Sequence, residues 1–81
     1  MTSVAKIELF DTVALTADVP ALGLTVGEVG AVVEVLGDGA AFEVEFCDPG
    51  GATYGLHTLR PDQLLPLHTR GQPLRFGVEA A

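Results

Sequence analysis

Eighty-one residues, a formal charge of −7 and one cysteine exclude several classes at once. A chain this short makes one domain and buries only about 60% of its unfolded surface. Its acidity works against nucleic acid and anionic membranes, both of which are bound through basic surfaces. What remains is a solvated acidic surface, or a protein partner of basic character.

Cys47 stands alone, so an intramolecular disulfide is impossible, which suits a reducing compartment. Met1 to Phe10 carries Lys6 but lacks the apolar run and small-residue cleavage site of a signal peptide. No apolar run approaches the ~20 residues that a membrane span needs. The expected location is the cytoplasm, with no membrane contact. Aromatics are few (Phe10, Phe42, Phe46, Tyr54 and Phe76), and Val, Leu and Ala supply most of one small core.

In chain order, Met1 to Ile7 is a short lead-in of the kind that frays. Val13, Leu15 and Thr16 favour a first strand over about Thr12–Thr16. Asp11 fits equally well as the cap of a single helical turn before it. Ala17 to Thr25 is a longer connection punctuated by Pro20 and Gly23, and its Leu22 and Leu24 fold back towards one end of the core. Gly30 lies inside a strand pattern, where glycine marks a bulge, a bend or a close backbone approach.

Gly27 to Phe46 reads as a β-hairpin. Val29, Ala31, Val33 and Val35 share one face of the first arm, and Phe42, Val44 and Phe46 share one face of the second. Asp38-Gly39 suits a two-residue type I′ turn. That register sets Val35 opposite Phe42, Val33 opposite Val44 and Ala31 opposite Phe46. Glu34, Glu43 and Glu45 then point to water.

Asp48-Pro49-Gly50-Gly51 forms the next turn, with Pro49 at its first central position and Gly51 in a left-handed bulge. A three-residue loop sets Phe46 opposite Tyr54 and Val44 opposite Leu56; a four-residue loop sets Thr53 and His57 on the core face. Burial of Tyr54 and Leu56 gains more apolar area, so the first register is the expectation. A fourth strand then spans Ala52–Leu59, Arg60–Gln63 makes a turn or one 3₁₀ turn, and Leu64–Leu67 is a short last strand. Pro66 belongs at its edge or end. Beyond His68, the alternation of Leu74, Phe76 and Val78 fits either a flexible tail or one added strand, the first being preferred.

Five short strands with regular turn signals and no long helix predict an all-β protein, a small five-stranded barrel, over residues 1–68 with a tail at 69–81. Several blocks carry a resemblance to a known family: Phe10-Asp11-Thr12-Val13-Ala14-Leu15-Thr16, Leu24 through Val35, Phe42-Glu43-Val44-Glu45-Phe46, and Gly51, Leu59 and Asp62 to Leu67. The chain resembles Domain of Unknown Function 4926, a bacterial family, over roughly Leu9–Leu67. The resemblance implies an SH3-like barrel and a stand-alone small protein. Some members lie beside toxin-like genes, which implies an antitoxin or immunity partner role. It carries no catalytic residues.

The residues offer little chemistry. Cys47, His57 and His68 are the only soft metal ligands, and no two sit at ligand spacing. The expectation is therefore no metal and no cofactor. A nucleophile–base pair would have to be Cys47 and His57, and the expected register sets His57 opposite Glu43, away from Cys47. Ser3 has no partner. Asp11, Asp18, Glu28 and the strand glutamates match no calcium loop, and Gly27 and Gly30 precede no helix that would make a phosphate site. The expectation is a non-catalytic protein.

The best candidate surface is the Ala17–Thr25 loop together with the loop around Pro49. It presents Asp18, Leu22, Leu24, Glu28, Asp48 and Pro49 to a partner with apolar and basic character. The competing account makes Leu22 and Leu24 plugs of the barrel end. The leading function is a protein-interaction module with an unidentified protein partner. The alternative is a nucleic-acid or small-ligand binder of the KOW type, which the charge disfavours. A homodimer formed through the tail is a further expectation.

Overall fold

The computed structural model describes residues 6–75. Ser3, Phe76 and Val78, and most of the expected lead-in, lie outside the described residues. Five strands form one antiparallel sheet: β1 (Thr12–Leu15), β2 (Val29–Leu36), β3 (Ala41–Cys47), β4 (Thr53–Leu59) and β5 (Leu64–Pro66). Their spatial order is β4-β3-β2-β1-β5. A small hairpin, β6 (His68–Thr69) with β7 (Gln72–Pro73), follows. The protein is all-β, as composition and turn spacing indicate.

The sheet is not a closed barrel. Among the described residues no ladder joins β4 to β5, so the ring expected from the sequence stays open. One 3₁₀ turn, Pro61–Gln63, bridges the two strands. Leu59 and Leu64 on either side of it are both buried, so apolar packing rather than backbone pairing draws the two ends together.

The β2–β3 hairpin keeps the expected register only near its turn. Val35 pairs with Phe42 and Glu34 with Glu43, but beyond a bulge Val32 pairs with Val44, Ala31 with Glu45 and Gly30 with Phe46. Val33 is the extra residue, and one extra residue moves every later side chain to the other face. Val32 is therefore fully buried and Val33 is exposed at 37%. Val29 and Ala31 likewise leave the core face. The turn itself is longer than two residues: Gly37 to Ala40 separate the paired Leu36 and Ala41, and Asp38 sits at φ 59°.

Gly30 explains why the shifted register wins. A Cβ there would lie 2.7 Å from Val44 Cγ1 and 2.8 Å from the Glu45 carbonyl oxygen. With only hydrogen at that position, Phe46 and Val44 close directly onto the β2 backbone. The opposite neighbour of Phe46 is also a glycine, Gly55. A large ring thus occupies the space that two missing side chains leave, and Phe46 is fully buried.

The β3–β4 register corrects a second expectation. Phe42 pairs with Leu59, Val44 with His57 and Phe46 with Gly55, while Cys47 pairs with Thr53. Tyr54 is the extra residue between the last two pairs. Tyr54 and Leu56 are therefore more than half exposed, at 52% and 54%. His57, half-buried, takes the place beside Val44 that Leu56 was expected to fill. The anticipated gain in area from Tyr54 and Leu56 is replaced by Leu59, 2% exposed, at the far end of the strand.

Candidate interaction surface

The Ala17–Thr25 connection is tied down by its own polar groups. Val19 and Leu24 exchange backbone hydrogen bonds around a 3₁₀ turn at Pro20–Leu22. Leu24 is buried in the core and Leu22 is exposed at 37%, so the two leucines divide the roles considered for them. The Asp18 carboxylate accepts a 2.8 Å bond from the Val26 amide. Glu28 accepts from the Thr25 amide at 2.7 Å and from the Thr25 hydroxyl at 3.1 Å.

Glu28 also reaches the other loop. Its second carboxylate oxygen accepts a 2.6 Å bond from the Tyr54 hydroxyl, linking the approach to β2 with the start of β4. That bond, followed by the Thr25 amide, holds the Glu28 carboxyl below its usual range. The same bond pushes the Tyr54 phenol up to about 12, because ionising it would place two negative charges together. The Tyr54 ring lies 6.1 Å from that of Phe46, centre to centre, and covers the end of the core.

The second loop is built the same way. The Gly51 amide donates to the Asp48 carbonyl at 2.9 Å with Pro49 between, and the Ala52 amide donates to the Asp48 carboxylate at 2.9 Å. Asp18, Glu28 and Asp48 are thus occupied in holding backbone. Pro49, Leu22, Val26 and Tyr54 are what the loops present to solvent. On the outer face of the sheet, a shallow groove of about 620 Å³ runs between Val29–Ala31 and the Asp48–Gly51 turn, with Glu45 and Cys47 in its floor.

Cys47 and His57 do not converge. Cys47 follows inward-facing Phe46 and is exposed on the outer face, whereas His57 pairs with Val44 on the core face. His57 is therefore opposite Val44, not Glu43. Among the described residues, no three His, Cys, Asp or Glu side chains group as metal ligands. No described helix is long and apolar enough to cross a membrane.

One polar cluster escaped the sequence. Asp11, only 3% exposed, accepts from the Glu8 amide at 2.9 Å and from Arg75 Nε at 2.9 Å. Arg75 Nη2 lies 2.9 Å from the same oxygen and 3.6 Å from Glu8. Beside it, Leu67 donates to the Thr12 carbonyl and the Thr12 amide donates to the Leu74 carbonyl. The chain leaves the β1 edge at Leu67, turns through β6 and β7, and returns at Leu74. Asp11 and Arg75 are 64 residues apart, and no local spacing announces such a pair.

The model of the family described as Domain of unknown function (DUF4926) matches residues 9–66, more than two-thirds of the chain. No curated protein and no solved structure matches.

Proposed function

The chain belongs to the family described as Domain of unknown function (DUF4926), and from that premise we propose that it is a non-catalytic protein-interaction module. The pairing of β1 with both β2 and β5, and the 3₁₀ turn that leads into β5, support an SH3-like reading of the sheet. It acts by capturing a protein partner, in the manner of an antitoxin or immunity protein that neutralises a neighbouring gene product.

One observation carries this reading. The loop carboxylates are held by backbone amides, and apolar Leu22, Val26 and Tyr54 stay exposed on a fixed frame. A preorganised surface with apolar side chains outward loses little order on binding, which favours recognition of another protein. The opposed placement of Cys47 and His57 supports a non-catalytic role. Of the four basic residues, Arg60 and Arg75 are engaged with Asp62 and Asp11, which leaves no basic stripe for nucleic acid.

The test is direct titration of the full chain with the purified product of the adjacent gene, followed by calorimetry. A saturable complex that weakens on Tyr54→Ala is expected. Absence of a complex, together with retention of labelled nucleic acid at low salt, would replace this reading with the nucleic-acid one.

A further inference from the structure

We propose that β4 is an acceptor edge: it binds an extended segment of a basic protein, which adds to the sheet as a sixth strand beside Thr53–Leu59. This rests on the protein-interaction reading and names the chemistry of its partner. Strand β4 is terminal in the sheet. Among the described residues, no backbone group of Thr53–Leu59 bonds to anything outside the β3–β4 ladder. Alternate amides and carbonyls of a seven-residue strand are therefore free to pair.

Edges left open in this way invite pairing, and folded proteins blunt them with lysine, proline, inward charge or brevity. Thr53-Tyr54-Gly55-Leu56-His57-Thr58-Leu59 has no lysine, no proline and no acidic residue. Its single irregularity, the bulge at Tyr54, affects one end only. Leu56, on the outer face, is 54% exposed.

Charge selects the occupant. One strand in from the edge, Glu43 and Glu45 lie on the outer face in the rows of Thr58 and Leu56. Glu43 also sits directly opposite Glu34, a like-charge pair that costs stability. Among the described residues, ion pairs form only around Arg60 and Arg75, and none reaches these three carboxylates. Thr58 and Thr53 hydroxyls donate to Glu43 and Glu45, which orients the carboxylates along the sheet towards β4. A strand beside β4 lies about 10 Å from β3, two strand spacings away. Lysine or arginine at alternate positions spans that gap, with stems over Leu56 and Thr58 and heads at Glu45 and Glu43. A second copy of this chain offers no such cations on its own β4.

The experiment uses the full chain and a short capped peptide alternating lysine with valine. Binding is followed by amide NMR at low salt. The expected result is saturable binding with perturbation and slowed hydrogen exchange confined to Thr53–Leu59. Binding should be lost with Leu56→Lys, which sets a cation on the edge while leaving the fold unchanged. A peptide of the same charge with alternate amides N-methylated cannot pair with the edge, and should fail to bind. Equal binding of the methylated peptide, or perturbation centred on the Leu22 and Pro49 loops, would overturn the edge proposal and leave the interaction reading standing. Slowed exchange in β4 that grows with protein concentration, without peptide, would assign the edge to a second copy and also overturn it.

Discussion

The two edges of the sheet are finished in opposite ways. β5 has three residues and ends in Pro66, which has no N–H to offer. Past it, the chain loops out through β6 and β7 and returns so that Leu74 pairs with Thr12, while Arg75 clamps buried Asp11. β4 is seven residues long, carries no formal charge, and ends its ladder facing solvent. At one edge, then, the strand is short and ends in proline, and the part of β1 beyond it is paired with the chain's own later residues; at the other, a long strand is left available. Openness in this sheet is therefore local: the chain pairs the end of β1 that short β5 leaves bare, and among the described residues it pairs nothing beside β4.

The largest effect is expected from undoing the closed edge. Asp11→Ala leaves Arg75 without its carboxylate and the Glu8 amide without its acceptor. The Asp11 side chain is 5% exposed and that of Arg75 38%. The loss should therefore sit at the low end for a broken buried pair, about 3 kcal/mol. Chemical denaturation measures it, and a double-mutant cycle with Arg75→Ala should show coupling between the two residues. Additive losses would mean that the clamp does not close the edge.

Gly30→Ala comes next. It affects β2, which both halves of the sheet share. The added methyl would press on the Glu45 carbonyl, which is backbone and cannot swing aside. A destabilisation of about 1–3 kcal/mol is expected from overpacking, read as a lower melting temperature. An unchanged stability would place the bulge at Val33 elsewhere.

Tyr54→Phe is the smallest change and sharpens the comparison, because the Tyr54–Glu28 bond ties the open strand to the loop before β2. The Tyr54 phenol is raised from 10.0 to about 12 in the folded protein. The stability it contributes is complete below 10 and disappears as pH rises through about 12. The Glu28 carboxyl is held below its usual 4.5. Its contribution is complete above that value and disappears as pH falls through the depressed one. The variant should be slightly less stable at neutral pH, where both contributions are complete, and should lack the alkaline limb and show a weaker acid limb. Ultraviolet titration of the single tyrosine checks the first point. A phenol titrating at its ordinary value would show that the tie is absent in solution.

Much of the fold was legible in the sequence, and its failures have specific causes. Alternation in Phe42, Val44 and Phe46 identifies the central strand and its buried face. Pairing near the Asp38 turn follows from the turn residues. The bulge at Val33 is invisible to alternation, because Val32 and Val33 are both valines and either can be counted inward. The β4 register turned on a single residue of loop length, and apolar area favoured Tyr54 and Leu56. The better signal was Phe46, whose ring needs glycine on both sides and finds Gly30 and Gly55. The candidate loops were located by their punctuation, but sequence could not show that Asp18, Glu28 and Asp48 hold backbone. The Asp11–Arg75 clamp joins opposite ends of the chain and leaves no local trace.

Amide hydrogen exchange of the free protein tests the contrast between the edges most directly, since it reports which backbone donors are paired. One alternate set of amides within Gly55–Leu59 should exchange fast, while the amides of Thr12, Leu67 and Leu74 are protected. Uniform protection along β4, equal to that of Thr12, would mean that the edge is already covered and would contradict it.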